Sequence, residues 1–182
     1  FVLAKMEITG IKVEASVLNQ LGNDFAVKLQ ELEHKIYQQA DEEFNLNSPK
    51  QLGHILFEKL GLPPIKKTKT GYSTSVEVLE QLKMKSPIVS EILDYRQIAK
   101  IQNTYVKGLL ECIQPDGRIH TRYLQTLTAT GRLSSVDPNL QNIPTRTNEG
   151  KQIRKAFVPS TKDGYIFSCD YSQVELRVLA HV

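Results

Sequence analysis

Pro115-Asp116-Gly117-Arg118-Ile119-His120-Thr121-Arg122-Tyr123-Leu124 is where the chain changes character. Pro-Asp-Gly is a turn signal. After it, Ile119, Thr121, Tyr123, Gln125 and Leu127 alternate with His120, Arg122, Leu124, Thr126 and Thr128. That period of two predicts a strand with two distinct faces. Upstream, every strong pattern has the helical period instead. The switch near Pro115 predicts an α+β protein in two parts. One is helical, over about 11–113; the other is formed by 1–10 together with 114–182.

Working upstream, Leu18, Leu21, Phe25, Leu29, Leu32 and Ile36 recur in steps of three and four. They mark the buried stripe of a long amphipathic helix over about 15–40. Ser48-Pro49-Lys50-Gln51 combines an N-cap serine, a first-position proline and a Gln three residues after the cap. The helix it opens carries Leu52, Ile55, Leu56 and Leu60 and stops at Gly61. Residues 66–73 have no apolar period and read as an exposed basic loop. Thr74-Ser75-Val76-Glu77 has the form of another capping box, and Pro87 opens a long helix reaching about residue 111. The two long helices, about 15–40 and 87–111, have the faces to pair antiparallel.

Downstream, residues 130–150 are rich in Gly, Ser, Asn, Pro and Thr yet carry Arg132 and Arg146. Irregular stretches of that length are often functional. Tyr165-Ile166-Phe167-Ser168-Cys169 reads as a buried strand that ends at Asp170. A helix follows, with Val174, Val178, Leu179 and Val182 expected inward.

With 182 residues, 40% apolar and 24% charged, the composition is that of an ordinary globular protein. No run approaches the ~18–20 apolar residues of a membrane span, and no basic-then-apolar leader opens the sequence. Cys112 and Cys169 lack metal-ligand spacing, which fits a reduced, intracellular setting. The net charge of +3 is unevenly spread. Residues 66–107 carry eight positive and four negative charges, and 118–155 carry seven and two, whereas 1–65 carry six and nine. Two basic stretches point to a polyanion contact confined to particular surfaces, or to solvated basic faces.

Asp170, where a strand turns into a helix, suits a magnesium ligand in phosphate chemistry or a helix cap. Ser172-Gln173-Val174-Glu175 is a capping box by itself, and Glu175 also lies one turn from Asp170. Two-metal phosphoryl chemistry needs at least two carboxylates. Here there is one well-placed carboxylate, while Glu149 and Asp163 lie in loops. Arg132 has the donors to read a base edge or a phosphate, or to pair with Asp137. Asn139, Gln141 and Asn142 have the chemistry to tie their loop together through backbone hydrogen bonds. The four histidines, His34, His54, His120 and His181, share no metal-ligand spacing, and no Ser-His-Asp arrangement is present.

Asp170-Tyr171-Ser172-Gln173-Val174-Glu175-Leu176-Arg177 resembles the first catalytic motif of the bacterial family A DNA polymerases. Thr130-Gly131-Arg132-Leu133-Ser134-Ser135 with Asp137-Pro138-Asn139-Leu140-Gln141-Asn142-Ile143-Pro144 is similar to that family's upstream palm segment. Phe44-Asn45-Leu46-Asn47-Ser48-Pro49, the basic 66–75 loop, Ile92-Leu93-Asp94-Tyr95-Arg96 and Thr104-Tyr105 are similar to its thumb. The resemblance implies a helical thumb followed by the N-terminal part of an antiparallel-sheet palm, stopping before the fingers. Asp170 would bind both catalytic Mg2+ ions with help from the Tyr171 carbonyl, and Glu175 would exclude a ribose 2′-hydroxyl. Arg132 and Gln173 match contacts near the primer terminus, with Gln173 and Glu175 facing the incoming deoxynucleotide. Asn142 and Arg146 match neighbouring DNA contacts; Asn45, Asn47, Lys69, Ser73 and Lys100 match thumb positions near the primer–template backbone.

The implied function is one half of a two-metal nucleotidyl-transfer site on primer–template DNA, in a cytoplasmic, nucleoid-associated bacterial protein. The fingers helix and the later aspartate-bearing motif would come from the remainder of the polymerase, so this chain alone is expected to be inactive. The alternative is a DNA-binding module without catalysis. A single-subunit RNA polymerase relative is disfavoured, because Glu175 would clash with the 2′-hydroxyl of a ribonucleotide.

Overall fold

The computed structural model describes residues 1–68 and 71–182. Helix α1 (Val2–Thr9) and the short strand β1 (Ile11–Lys12) lead into the 26-residue helix α2 (Ala15–Ala40). The α2 stripe forms as its period predicts: Leu18, Leu21, Phe25, Leu32 and Ile36 are buried, with Leu29 at the edge. Helix α3 (Pro49–Gly53) starts at Ser48, whose hydroxyl accepts from the Gln51 amide at 3.4 Å. The Gln51 side chain reaches beyond the cap to accept from the Asn45 amide at 2.7 Å, so only half of the expected box forms. The helix then widens into a π-helical segment, His54–Lys59.

Strands β2 (Lys67–Thr68) and β3 (Gly71–Tyr72) pair antiparallel within the expected basic loop. Helix α4 (Val76–Leu82) is preceded by Ser75, which makes no side-chain cap. Thr74 is instead bonded by Arg96, which displaces the expected capping box. Helix α5 (Pro87–Ile101) opens at Pro87 and runs through a π-helical segment, Gln102–Lys107, into α6 (Gly108–Cys112). Gln39 near the end of α2 bonds Glu91 early in α5, and Gln102 at the end of α5 donates to Gly22 early in α2. These contacts at opposite ends make the pair antiparallel. At Gly22 the helices approach closely: a Cβ there would lie 3.3 Å from Val106.

Strand β4 (Arg118–Ile119) pairs antiparallel with β1, and Val13 bridges to Phe157. Strand β5 (Arg122–Leu124) pairs antiparallel with β6 (Ser134–Val136). The single strand expected over 119–128 is therefore broken and short. At the break, the His120 ring turns back to the Glu7 carbonyl (2.8 Å) and Asp116 Oδ2 (2.9 Å), while the Thr121 hydroxyl enters a buried cluster with Ser135. Both partners of His120 only accept hydrogen bonds, so the arrangement calls for the doubly protonated ring. These bonds raise its pKa, first through Glu7 and then Asp116. Gly10 (φ 59°) passes so close that a Cβ would sit 2.8 Å from this ring.

Helix α7 (Asn148–Arg154) is capped by Thr147, which accepts from the Gly150 amide at 3.1 Å. Its Glu149 is no loop carboxylate: it meets Lys28 of α2 at 3.5 Å and Gln97 of α5 at 3.5 Å. The last element, α8 (Val174–His181), carries the largest departures from expectation. Tyr165–Cys169 forms no strand and is exposed, with Tyr165 at 94% and Phe167 at 89%. A strand needs a neighbour for its backbone groups, and no described residue supplies one. Val174, Val178, Leu179 and Val182 are likewise exposed rather than inward. The Ser172 capping box does not form either: Gln173 holds the N-cap position at φ 52°, without a side-chain cap.

Candidate nucleic-acid interface

The residues singled out by sequence fall into two clusters. The first surrounds an open cleft of about 1410 Å³. Asn47, Ser48, Lys50, His54, Ser73, Thr74 and Arg96 are among its lining residues, with Glu42, Glu43 and Glu58 on the same walls, so the cleft is mixed in charge. Asn45 Oδ1 accepts from the Asn47 amide at 2.9 Å, and the Asn45 carbonyl accepts from the Ser48 amide at 2.9 Å. Asn45 thus braces the turn that presents Asn47. Tyr37 fixes the same turn from behind, its hydroxyl 2.7 Å from the Phe44 carbonyl and 2.9 Å from Glu33. Burial, and then Glu33, push this phenol up to about 12.

Ser73 is buried, its hydroxyl accepting from the Ser75 amide at 3.4 Å. Arg96 was legible only as part of a helix pattern. It proves to be the clamp of this wall, donating to the Thr74 carbonyl and, at 3.2 Å, to the Thr74 hydroxyl. Burial lowers its pKa. Lys100 is exposed on α5 outside the lining residues, and Lys69 lies outside the described residues.

The second cluster joins the β5–β6 hairpin, the loop after it and α8. Arg132 Nη2 lies 3.2 Å from Glu175 Oε1, across 43 positions of sequence. Both side chains are open to solvent, at 77% and 73%. Asp137 pairs with Arg122, not with Arg132. The loop is tied together by short polar side chains, as expected of Asn139 and Gln141. Asn139 Oδ1 accepts from the Gln141 amide (2.9 Å), and the Gln141 side chain bonds Ser135 and Leu133. Beneath it, Thr121 and Ser135 share their hydroxyl protons with each other (2.6 Å) and with the Pro138 carbonyl. The Asn142 carbonyl accepts from the Tyr105 hydroxyl on the π-helical segment. Asn142 and Arg146 are exposed.

Asp170 and Tyr171 are exposed, next to α8. The Ser172 carbonyl accepts from Arg177 Nε at 3.0 Å, which orients the entry to the helix. A carboxylate and a backbone carbonyl are the hard oxygen donors magnesium takes. Their chemistry suits that ion, but no three His, Cys, Asp or Glu residues gather as a metal site among the described residues. Asp163 is exposed in a loop and is not part of such a group.

The molecule is thus a mixed α+β domain: a helical lobe with an open cleft, small antiparallel sheets, and an Arg132–Glu175 pair that joins the loop before β6 to α8. The family profile of DNA polymerase family A matches residues 15–182, and the chain belongs to that family. It is 66% identical over 181 residues to DNA polymerase I of Lactococcus lactis subsp. lactis, covering all of this chain and 20% of the relative. It is 61% identical over 182 residues to DNA polymerase I of Bacillus subtilis, again with the whole chain covered and 21% of the relative. The chain therefore spans about a fifth of the length of these curated relatives. Among solved structures, the polymerase domain of Pol1 from M. smegmatis, in complex with DNA primer-template and dNTP, matches with a TM-score of 0.85 and 45% identity. The match covers 98% of this chain and 32% of that one. No helix among the described residues is long and apolar enough to cross a membrane.

Proposed function

We propose that this chain is the primer–template-holding part of a bacterial DNA-directed DNA polymerase and carries half of its nucleotidyl-transfer site. In this reading, residues 11–113 are the thumb, and 1–10 with 114–182 are a partial palm. The observation that carries it is the Arg132–Glu175 contact, which brings the two separate motifs to one place. Arg132 extends from a pinned backbone. Its guanidinium suits the acceptors that every base pair shows in the minor groove, which permits contact without sequence preference. Glu175 would stand as the wall that rejects a ribose 2′-hydroxyl. Asn142 and Arg146 would continue the contact along the duplex. Asn45, Asn47, Ser73, Lys69 and Lys100 would follow its backbone on the thumb side.

Asp170 and the Tyr171 carbonyl are the groups that would hold Mg2+. When bound, the ion supplies charge stabilisation at the phosphates. The remaining carboxylate and the fingers helix would come from the rest of the polymerase. A DNA-binding module without catalysis is the second reading for the isolated chain.

The test is single-turnover incorporation of dNTP and rNTP by the intact polymerase and two variants. Asp170→Ala should abolish turnover while primer–template binding survives. Glu175→Ala should admit ribonucleotides. Near-normal turnover in the first, or intact sugar discrimination in the second, overturns the corresponding role. Binding of primer–template by the wild type should weaken steeply with salt, because phosphate contacts release counterions.

A further inference from the structure

We propose that Gln141 is a positioning residue for Arg132: its side-chain amide takes the place of a missing neighbouring strand and fixes the backbone from which Arg132 reaches the duplex. The role of Arg132 on DNA is that of the proposed function, and this inference rests on it.

Among the described residues, strand β6 pairs with β5 on one side only. Its other edge carries the Leu133 carbonyl and the Ser135 amide, which point the same way because residues two apart share a side. Gln141 meets both. Its Nε2 donates to the Leu133 carbonyl at 3.1 Å, and its Oε1 accepts from the Ser135 amide at 3.1 Å. A strand's peptide groups would satisfy the edge in the same way. Only one orientation of the amide matches this donor and this acceptor. Gln141 is itself held, because its amide donates to Asn139 Oδ1 at 2.9 Å and the preceding Leu140 amide donates to Ser135 Oγ at 3.1 Å.

The purpose of this fixation lies one residue upstream. Gly131 (φ 76°) makes the turn that a side chain would resist. The Arg132 carbonyl then accepts from the Thr128 hydroxyl at 2.6 Å. With Leu133 pinned by Gln141, the chain is held at two successive carbonyls, Arg132 and Leu133, while the Arg132 side chain stays open to solvent. A rigid base under a solvent-exposed guanidinium, whose side-chain contact is to the equally exposed Glu175, is preorganisation of the backbone: that part of the ordering cost is met before the ligand arrives. Gln141 needs no contact with the DNA to affect its binding.

The experiment is a double-mutant cycle on the intact polymerase, with a fluorescent primer–template duplex and affinity read by anisotropy. Arg132→Ala is expected to weaken binding about tenfold. Gln141→Ala should weaken it about fivefold in the wild-type background and not at all on top of Arg132→Ala, because both act through one contact. Gln141→Glu has nearly the same size and keeps an acceptor for Ser135, but it sets a carboxylate against the Leu133 carbonyl. It should also weaken binding only where Arg132 is present. Amide exchange at Ser135 should accelerate in Gln141→Ala and stay slow in Gln141→Glu. Equal losses from Gln141→Ala in both backgrounds, or wild-type affinity in both Gln141 variants, overturn the proposal alone. Wild-type affinity in Arg132→Ala overturns the interface reading, and this proposal with it.

Discussion

The helical lobe and the C-terminal segment treat the same kind of sequence signal in opposite ways. In α2 and α5 the apolar period becomes a buried face: Leu18, Ile36, Ile88 and Ile92 are at most 1% exposed. In and just after α8 an equally regular set, Val174, Val178, Leu179 and Val182, is left uncovered by the described residues. The helical periods agree, and the partners differ. Antiparallel α2 and α5 each supply the surface the other needs, whereas no described residue covers 165–182. An apolar period therefore reports a face that favours burial; the burial itself requires a second surface.

The largest effect that would sharpen this contrast comes from truncating each face. Ile92→Ala, on the buried face of α5, should cost about 2–5 kcal/mol of stability by denaturant unfolding, through lost transfer energy and a cavity. Val178→Ala should stay within about 0.5 kcal/mol. Comparable losses at the two sites would break the comparison.

Next in size is Arg96→Ala, which leaves the buried Thr74 without its guanidinium donors. A loss of about 1–3 kcal/mol is expected, and Arg96→Lys should restore little of it, because an ammonium lacks the forked geometry. Thermal melts of both variants check this.

Caps give a finer version of the contrast. Thr147 caps α7 through the Gly150 amide, so Thr147→Ala should cost about 1 kcal/mol. Ser172, in a sequence with an equally good capping box, makes no cap at α8. Ser172→Ala should be nearly silent in the same unfolding assay, and an equal cost would restore the capping box.

How much of the molecule was legible follows from these cases. The extents of α2 and the start of α5 were readable because their signals, the stripe and Pro87, are local and agree with the packing. The β region was less so. Residues 119–128 alternate well, yet His120 and Thr121 each find a stronger partner off the ladder, in Glu7 with Asp116 and in Ser135. Arg132 and Glu175 could be named from their motifs, but nothing in their spacing announced that they would meet. The Tyr105 hydroxyl on the Asn142 carbonyl and the Glu149 contacts to α2 and α5 join elements far apart in sequence, and no local pattern encodes them.

The smallest expected effect is the pH dependence of the α1 junction. The folded state raises the pKa of His120, so its contribution is fully present below its ordinary 6.5 and fades as pH rises through the raised value. The Asp116 carboxyl is lowered, chiefly by its hydrogen bond from His120. Its contribution is present above the ordinary 3.8 and fades as pH falls through the lowered value. The difference in melting temperature between wild type and His120→Ala should therefore be greatest between those two values. A difference independent of pH would mean that the His120 contacts to Glu7 and Asp116 do not depend on this proton.

The close approach of Gly22 to Val106 sets how one end of α2 seats against the segment after α5. From residue 22 to residue 40 the axis runs about 27 Å at 1.5 Å per residue. A tilt of about 5° at the Gly22 end would move the far end by about 2 Å, close to the difference between a hydrogen bond and none. The Asn45–Ser48 turn rides on that far end. Its placement thus depends also on the fit of a glycine against a valine, several helical turns away.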